Sequence, residues 1–165
     1  MARVLIVGGG ARGRRLASAL VAQGHALRIT TRSESRRAAI ERCGAECFIG
    51  DPDRLATLGA SLEHVTVACW MLACASGPPA QLRALHSSRL ELFLERMIDT
   101  TVRGFVYEAA GATVPEAVLA DGATITLAVT GRNAIPACVL KADPATEESW
   151  LADARAAVGA LIDGC

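Results

Sequence analysis

The hydrophobic positions of the chain fall into six short runs, separated by segments of mixed character. The first run, ARVLIV at 2–7, is mostly apolar and ends in glycines, which is typical of a strand buried on both faces. Later runs recur at intervals that leave room for a helix between them. We therefore predict strands at 2–7, 26–31, 46–50, 64–72, 102–107 and 136–141.

The segments between these runs carry apolar residues at helical spacing, together with start and stop signals. Leu16 and Leu20 lie on one face of a segment that Gly24 ends. Ser33 is a suitable N-cap for the next helix, and Pro52 suits the first position of another. The pattern predicts helices over 11–23, 34–43, 52–59, 80–99 and 145–162.

The segment 112–134 admits two interpretations. Residues 124–130, TITLAVT, are β-branched and favour a strand, which would leave a short helix at 114–120. A parallel strand after 102–107, however, needs a crossover of a dozen residues or more. We therefore predict a crossover helix over 115–133 and keep the strand as the alternative.

Strict alternation of strands and helices predicts an α/β fold of the doubly wound kind, a parallel sheet of about six strands with helices on both faces. The expected strand order is 3-2-1-4-5-6, the Rossmann arrangement. A length of 165 residues suits one domain, so we expect residues 1–165 to form a single NAD(P)-binding domain. Ligands on such sheets bind at the carboxyl ends of the strands, where the strand order reverses.

A glycine-rich turn, GGGARG at 8–13, lies at that predicted edge. Gly8 suits a tight turn off the first strand, and Gly10, next to Gly9, would let the backbone approach a pyrophosphate. Gly13 would let the following helix lie close to the strand. The helix N-terminus then offers free N–H groups and partial positive charge to phosphates. The turn, in this context, predicts a dinucleotide site.

The residues after the second strand decide which dinucleotide is expected. Thr31 stands where a ribose-binding carboxylate would repel a 2′-phosphate. Arg32 can bind a phosphate in a forked geometry, Ser33 adds a donor, and Arg36 lies one turn into the next helix. Arg12 is expected from the opposite wall of the same site. We therefore predict NADP(H) as the cofactor.

The chain resembles the atypical short-chain dehydrogenases/reductases, the epimerase-like and NmrA-like branch, over roughly residues 1–110. The resemblance rests on the glycine turn, the Thr-Arg pair after strand 2, GDPDRL at 50–55 and a fourth strand beginning VTVACW. It implies that Asp51 contacts the adenine. It also implies that the residues from Met71 through Leu72 to Ala73 line the nicotinamide ribose.

The chain departs from this family in two respects. Its glycine spacing is GxGxxG rather than GxxGxxG, and it lacks the Tyr-x-x-x-Lys pair, because Tyr107 and Lys141 are its only tyrosine and lysine. Glu108, at the end of strand 5, is the best-placed candidate for a proton donor. Tyr107 precedes it, and only one of the two can face the cofactor. His86 is expected at the surface or in an interface.

Composition and charge exclude several classes of protein. Net charge is zero and aromatics are few, which argues against a nucleic-acid partner. The longest apolar run has eleven residues, too short to span a bilayer, and the N-terminus is unlike a signal peptide, so we expect a cytoplasmic protein. Cys43 and Cys47 lack a nearby histidine, so no metal site is predicted.

The predicted elements use the whole chain and leave no separate substrate domain. A substrate, with a small carbonyl compound as the expected class, would lie under the loops 73–79 and 108–113 or against a second subunit. The helix 80–99 and the segment 112–134 correspond to the faces through which relatives pair, which favours a homodimer. Two functions stay open: a small NADP(H)-dependent oxidoreductase, and a non-catalytic NADP(H) sensor, regulator or binding subunit.

Overall fold

The computed structural model describes residues 1–164, which form one sheet of six parallel strands with helices on both faces. The strand order is β3-β2-β1-β4-β5-β6, as the alternation predicted. The strands are β1 (Arg3–Val7), β2 (Ala26–Thr31), β3 (Glu46–Ile49), β4 (Val67–Trp70), β5 (Gly104–Glu108) and β6 (Ala137–Leu140).

The helices alternate with these strands and cover the sheet from both sides. They are α1 (Ala11–Ala22), α2 (Arg37–Arg42), α3 (Pro79–Leu85), α4 (Ser88–Ile98), α5 (Glu116–Arg132) and α6 (Glu147–Asp163), with 3-10 helices at Glu34–Arg36 and Leu55–Leu62. Among the described residues, no helix is long and apolar enough to cross a membrane.

Side chains that alternate along β1 explain the two hydrophobic layers. Val4 and Ile6 join the layer beneath α1 and α6, whereas Leu5 and Val7 join the layer beneath α4 and α5. All four side chains are fully buried. The strand is therefore apolar on both faces, which is why its sequence reads as a run rather than as an alternation.

The crossover helix is confirmed, and the alternative strand at 124–130 is wrong. Helix α5 runs through that segment and buries Leu119, Gly122, Thr126 and Val129, which follow one another at helical spacing. The β-branched residues therefore lie in a helix, because the parallel pairing of β5 with β6 requires a crossover connection.

The predicted helix over 80–99 is in fact two helices, α3 and α4, which meet at His86 and Ser87. The His86 side chain turns inward and lies 2.8 Å from the hydroxyl of Tyr107 and 3.3 Å from the carbonyl oxygen of Leu72. The expectation of a surface histidine is therefore wrong, since His86 is fully buried. These two contacts, with Tyr107 of β5 and with Leu72 in the loop after β4, occur where α3 ends and α4 begins.

The predicted helix over 52–59 is also displaced, to a 3-10 helix at Leu55–Leu62. The Asp51 carboxylate accepts a hydrogen bond from the Asp53 N–H at 3.0 Å and so forms a local turn. The Thr57 hydroxyl lies 2.8 Å from the Asp51 N–H and accepts its hydrogen bond. These side-chain bonds hold residues 51–54 as a turn, where proline fits equally well.

Candidate functional site

A cavity of about 480 Å³ opens at the carboxyl edge of the sheet, where the strand order reverses between β1 and β4. Its walls come from the glycine turn, from the ends of β2 and β3, and from the loop after β4. We call it the first cavity. Its lining includes the predicted residues Gly8, Gly9, Gly10, Arg12, Gly13, Thr31, Arg32, Ser33, Arg36, Asp51, Met71, Leu72 and Glu108.

The surroundings of the three motif glycines explain in three different ways why each position carries a glycine. Gly8 has a φ of +126°, and a Cβ there would collide with the carbonyl oxygen of Met71. A Cβ on Gly13 would collide with the carbonyl oxygen of Gly8, so this glycine allows α1 to approach the strand. Gly10 differs, because a Cβ there would meet no heavy atom within 4 Å. Packing within the protein therefore does not require a glycine at position 10, and the backbone there is open to a ligand.

The N-terminus of α1 faces this site and has no side-chain cap. Gly10 is its N-cap residue and α1 begins at Ala11. The first N–H groups of a helix have no partner within the helix and carry partial positive charge. Bare backbone at Gly10 beside these donors is suited to an anionic group such as a pyrophosphate.

The cationic end of the first cavity lies beyond β2. Arg32 is exposed and makes no hydrogen bond or ion pair within residues 1–164, so its guanidinium is uncommitted. Arg36 lies nearby, with Nη1 3.5 Å from the carbonyl oxygen of Gly9. The Thr31 hydroxyl accepts a hydrogen bond from the Ser33 N–H at 3.2 Å and brings no charge. Ser33 does not cap the next helix with its side chain, since its hydroxyl pairs with that of Ser35.

Arg12 lines the first cavity together with Arg32, but its guanidinium points away from the cationic end. Its Nη2 atom is 2.7 Å from Oε1 of Glu108, on the far side of β4 from Arg32. Its Nη1 atom lies 2.9 Å from Sγ of Cys74, and its guanidinium lies 5.4 Å from the centroid of the Trp150 ring. The expected convergence of Arg12 with Arg32 is therefore not present, because a buried carboxylate holds Arg12 at the opposite end.

Glu108 is almost fully buried, with 1% of its surface exposed. Oε1 accepts from Arg12, and Oε2 accepts from the backbone N–H of Ala73 at 3.1 Å. Burial raises the pKa of Glu108, and the charge of Arg12 and the Ala73 N–H oppose that rise. The indole N–H of Trp150 faces the same carboxyl and also lowers the pKa of Glu108, although its geometry falls short of a hydrogen bond.

Tyr107 points to the other face of β5, as alternation along a strand requires. Its hydroxyl meets His86, and a Cβ on Gly122 of α5 would collide with that hydroxyl. Tyr107 lines neither the first cavity nor the cavity of about 810 Å³ beside α5. Burial raises the pKa of Tyr107 well above its usual range and lowers that of His86 to about 4. The pair therefore packs behind the site and stays neutral.

The remaining predicted contacts line the first cavity at its two ends. Asp51 lies beside the turn after β3, next to Pro52 and Asp53. Met71 and Leu72 follow β4, and the Met71 N–H donates to the carbonyl oxygen of Val7 at 2.9 Å. Residues 1–164 contain no group of three or more histidine, cysteine or carboxylate side chains that could hold a metal.

The sequence did not predict a second cavity, of about 810 Å³, between α5 and the loop after β6. Its walls are mostly small and apolar, including Ala109, Ala123, Leu127 and Val139. Arg12 lies at the boundary between the two cavities, because it is the residue that lines both. Contacts between residues 96 positions apart, such as Arg12 with Glu108, leave no signal in local periodicity.

Comparison with known proteins identifies the fold. No family model matches the sequence, and no curated protein matches it. Solved structures do match. The UDP-Glc/GlcNAc 4-epimerase from Campylobacter jejuni is 14% identical with a TM-score of 0.71, over 84% of this chain and 52% of that one. Vestitone reductase from alfalfa is 15% identical with a TM-score of 0.65, over 84% and 56%.

A third match decides the class of fold. A short-chain dehydrogenase/reductase superfamily protein from Agrobacterium tumefaciens, with bound NAD, is 18% identical with a TM-score of 0.68, over 83% of this chain and 48% of that one. The chain has a Rossmann fold, similar to that of these three structures. It spans about half the length of the structures it matches.

Proposed function

We propose that the chain binds NADP(H) in the first cavity. The observation that carries the proposal is the bare backbone of Gly10 at the uncapped N-terminus of α1, which leaves room for a pyrophosphate beside free N–H donors. The matched structures include one with bound NAD, which supports a dinucleotide as the ligand. Asp51 would contact the adenine, and Met71 and Leu72 would contact the nicotinamide ribose.

The preference for NADP(H) over NAD(H) rests on the cationic end of the cavity. Thr31 brings no carboxylate to repel a 2′-phosphate, and the uncommitted Arg32 can donate to it. A charge-assisted hydrogen bond contributes about 1.5–3 kcal/mol, which corresponds to about ten- to a hundredfold in affinity. Arg36 stands nearby but lies against the Gly9 carbonyl, so we assign the larger share to Arg32.

Calorimetric titration with NADPH and NADH tests this preference. We expect NADPH to bind the wild-type chain about ten- to a hundredfold more tightly than NADH. In the Arg32→Ala variant most of that preference should be lost, because NADPH should bind more weakly while the affinity for NADH stays unchanged. Arg42→Ala is the matched control, because Arg42 is an exposed arginine of α2 that does not line the cavity, and its variant should behave as wild type. Equal affinities in the wild type would contradict the NADP(H) assignment.

Two activities are compatible with such a site, and different observations favour each. The second cavity beyond Arg12 favours a small oxidoreductase that acts on a carbonyl compound, with Glu108 as the proton donor. The missing Tyr-x-x-x-Lys pair, and the engagement of both Glu108 oxygens, favour a non-catalytic NADP(H) sensor or binding subunit.

Consumption of NADPH against a panel of carbonyl compounds separates these activities. If Glu108 is the donor, Glu108→Gln should lose turnover by about 10²-fold or more with unchanged NADPH affinity. Wild-type turnover in that variant would remove Glu108 from the mechanism. Absence of turnover in both proteins, with NADPH bound, would favour the sensor.

A further inference from the structure

Arg12 crosses the carboxyl edge of the sheet from α1 to β5 and forms the boundary between the two cavities. The lining of the first cavity ends at Glu108, and residues 109–112 line only the second. A ligand that extends from the glycine turn along this edge into the second cavity therefore meets the Arg12 side chain.

The contact that holds Arg12 in this position is a buried ion pair. Glu108 is 1% exposed and the side chain of Arg12 is 22% exposed. Each Glu108 oxygen accepts from one N–H donor, Arg12 from α1 and Ala73 from the loop after β4. A carboxyl group that accepts at both oxygens is in its ionised form, so the closed pair is an arginine with a carboxylate.

Removal of Arg12 would leave this buried carboxylate without a counter-charge and with the Ala73 N–H as its one well-aligned donor among the described residues. Tyr107, the neighbour of Glu108 on β5, faces the opposite side, and Trp150 of α6 offers only a poorly aligned indole N–H. A buried charge without its partner costs several kcal/mol, and a carboxylate avoids that cost when it binds a proton. Burial already raises the pKa of Glu108, in the direction that such protonation requires.

A bound dinucleotide supplies the reason for Arg12 to move. Arg12 is the second residue of α1, so it lies beside the place proposed for the pyrophosphate. Once the nicotinamide half has pushed the guanidinium away from the carboxylate, a phosphate there can accept its hydrogen bonds instead. We propose that Arg12 gates the second cavity: a dinucleotide that binds in the first cavity and extends its nicotinamide ring into the second displaces Arg12 from Glu108, and Glu108 then takes up one proton from solvent.

This gate rests on the proposed binding of NADP(H) in the first cavity, and it changes what Glu108 can do. In the closed pair Glu108 is an acceptor at both oxygens and has no proton to give. In the open state it is a neutral acid at the edge of the first cavity, loaded before any substrate reacts. The gate would therefore couple cofactor binding to preparation of the proton donor.

Calorimetry in several buffers of different ionisation enthalpy measures the proton uptake directly. NADP⁺ is compared with adenosine 2′,5′-bisphosphate, which lacks the nicotinamide half, at about pH 7. The number of protons taken up per ligand bound by Glu108→Gln is subtracted from the number for the wild type, so that protonation of the ligand's own phosphates cancels. We expect a difference of about one proton per NADP⁺ bound and about zero for the bisphosphate.

The matched control is Glu147→Gln, because Glu147 also pairs with an arginine of α1, Arg15, but at an exposed position. This variant should keep the wild-type proton uptake. Binding of the bisphosphate by Glu108→Gln reports that the first cavity is intact. If that variant does not fold, Arg12→Met replaces it: Glu108 is then neutral before binding, and the uptake should also disappear.

Three results would overturn the gate: NADP⁺ binding without proton uptake, equal uptake with the bisphosphate, or uptake that persists in the variant used. Failure of both ligands to bind the wild-type chain would instead contradict the proposed function itself. The two failures are therefore distinct in one set of titrations.

Discussion

Replacement of Gly10 by valine separates binding from folding more sharply than any other change in the glycine turn. The backbone at Gly10 has φ −69° and ψ 176°, which is extended and open to any residue. A Cβ there meets no heavy atom within 4 Å and occupies the space proposed for the pyrophosphate. The side chain should therefore exclude the ligand and leave the protein core untouched.

The magnitude follows from the groups involved. Loss of two charge-assisted bonds from backbone N–H groups to phosphate, at about 1.5 kcal/mol or more each, weakens binding by at least about a hundredfold. Stability should change by less than about 1 kcal/mol. Valine is a poorer N-cap residue than glycine, but it also restricts the unfolded chain, and the two effects oppose each other.

Titration with NADPH and thermal unfolding by circular dichroism give the two readouts. Gly13→Ala is the contrasting variant, because its Cβ would collide with the Gly8 carbonyl oxygen, and we expect a loss of about 1–3 kcal/mol in stability. Gly159→Ala, in the open interior of α6, should gain about 0.5–1 kcal/mol and bind NADPH normally. A Gly10→Val variant that binds NADPH with wild-type affinity and a native spectrum would refute the proposed phosphate site.

Three further predictions concern stability and assembly. Burial lowers the pKa of His86 to about 4, below its value of 6.5 in the unfolded chain, so the free energy of unfolding should fall by about 3 kcal/mol as the pH drops from 6.5 to 4. Urea unfolding at several pH values should show a weaker dependence of stability on pH in His86→Gln. Arg28→Met should lower the free energy of unfolding by about 2–3 kcal/mol in the same assay, because buried Arg28 donates to Glu46 and to the Ser61 carbonyl oxygen. The control variant Arg42→Met, at an exposed position, should keep the wild-type stability. We expect sedimentation to give a homodimer that Leu127→Glu weakens, since 53% of Leu127 is exposed on α5, and a monomeric wild type would contradict this.

The parts of the fold that follow from local rules were predictable from the sequence. The inner strands β1, β4 and β5 are mostly apolar because they are buried on both faces, and the predicted runs overlap all six observed strands. The glycine turn was predictable from local geometry, because Gly8 has a positive φ and Gly13 lies against the carbonyl oxygen of Gly8, five residues earlier. Helix α5 followed from the connection rule for parallel strands, against the β-branched character of 124–130.

The parts that depend on distant partners were not predictable in this way. The break between α3 and α4 coincides with the contact of His86 with Tyr107, which lies 21 residues further along the chain. Arg12 was expected to converge with Arg32 from the opposite wall of the same site, but Glu108, 96 residues away, holds its guanidinium at the other end. Charged side chains are long, and sequence position alone does not say which partner they reach.

A structure of the chain with NADPH bound would show whether the cofactor lies where the proposed function places it. The deciding measurement is the distance from the 2′-phosphate oxygens to the guanidinium of Arg32. The proposed function predicts a hydrogen-bonded distance of about 2.7–2.9 Å there, with the pyrophosphate over Gly10 at the N-terminus of α1. A 2′-phosphate that contacts no arginine, or a dinucleotide bound outside the first cavity, would contradict the proposed function.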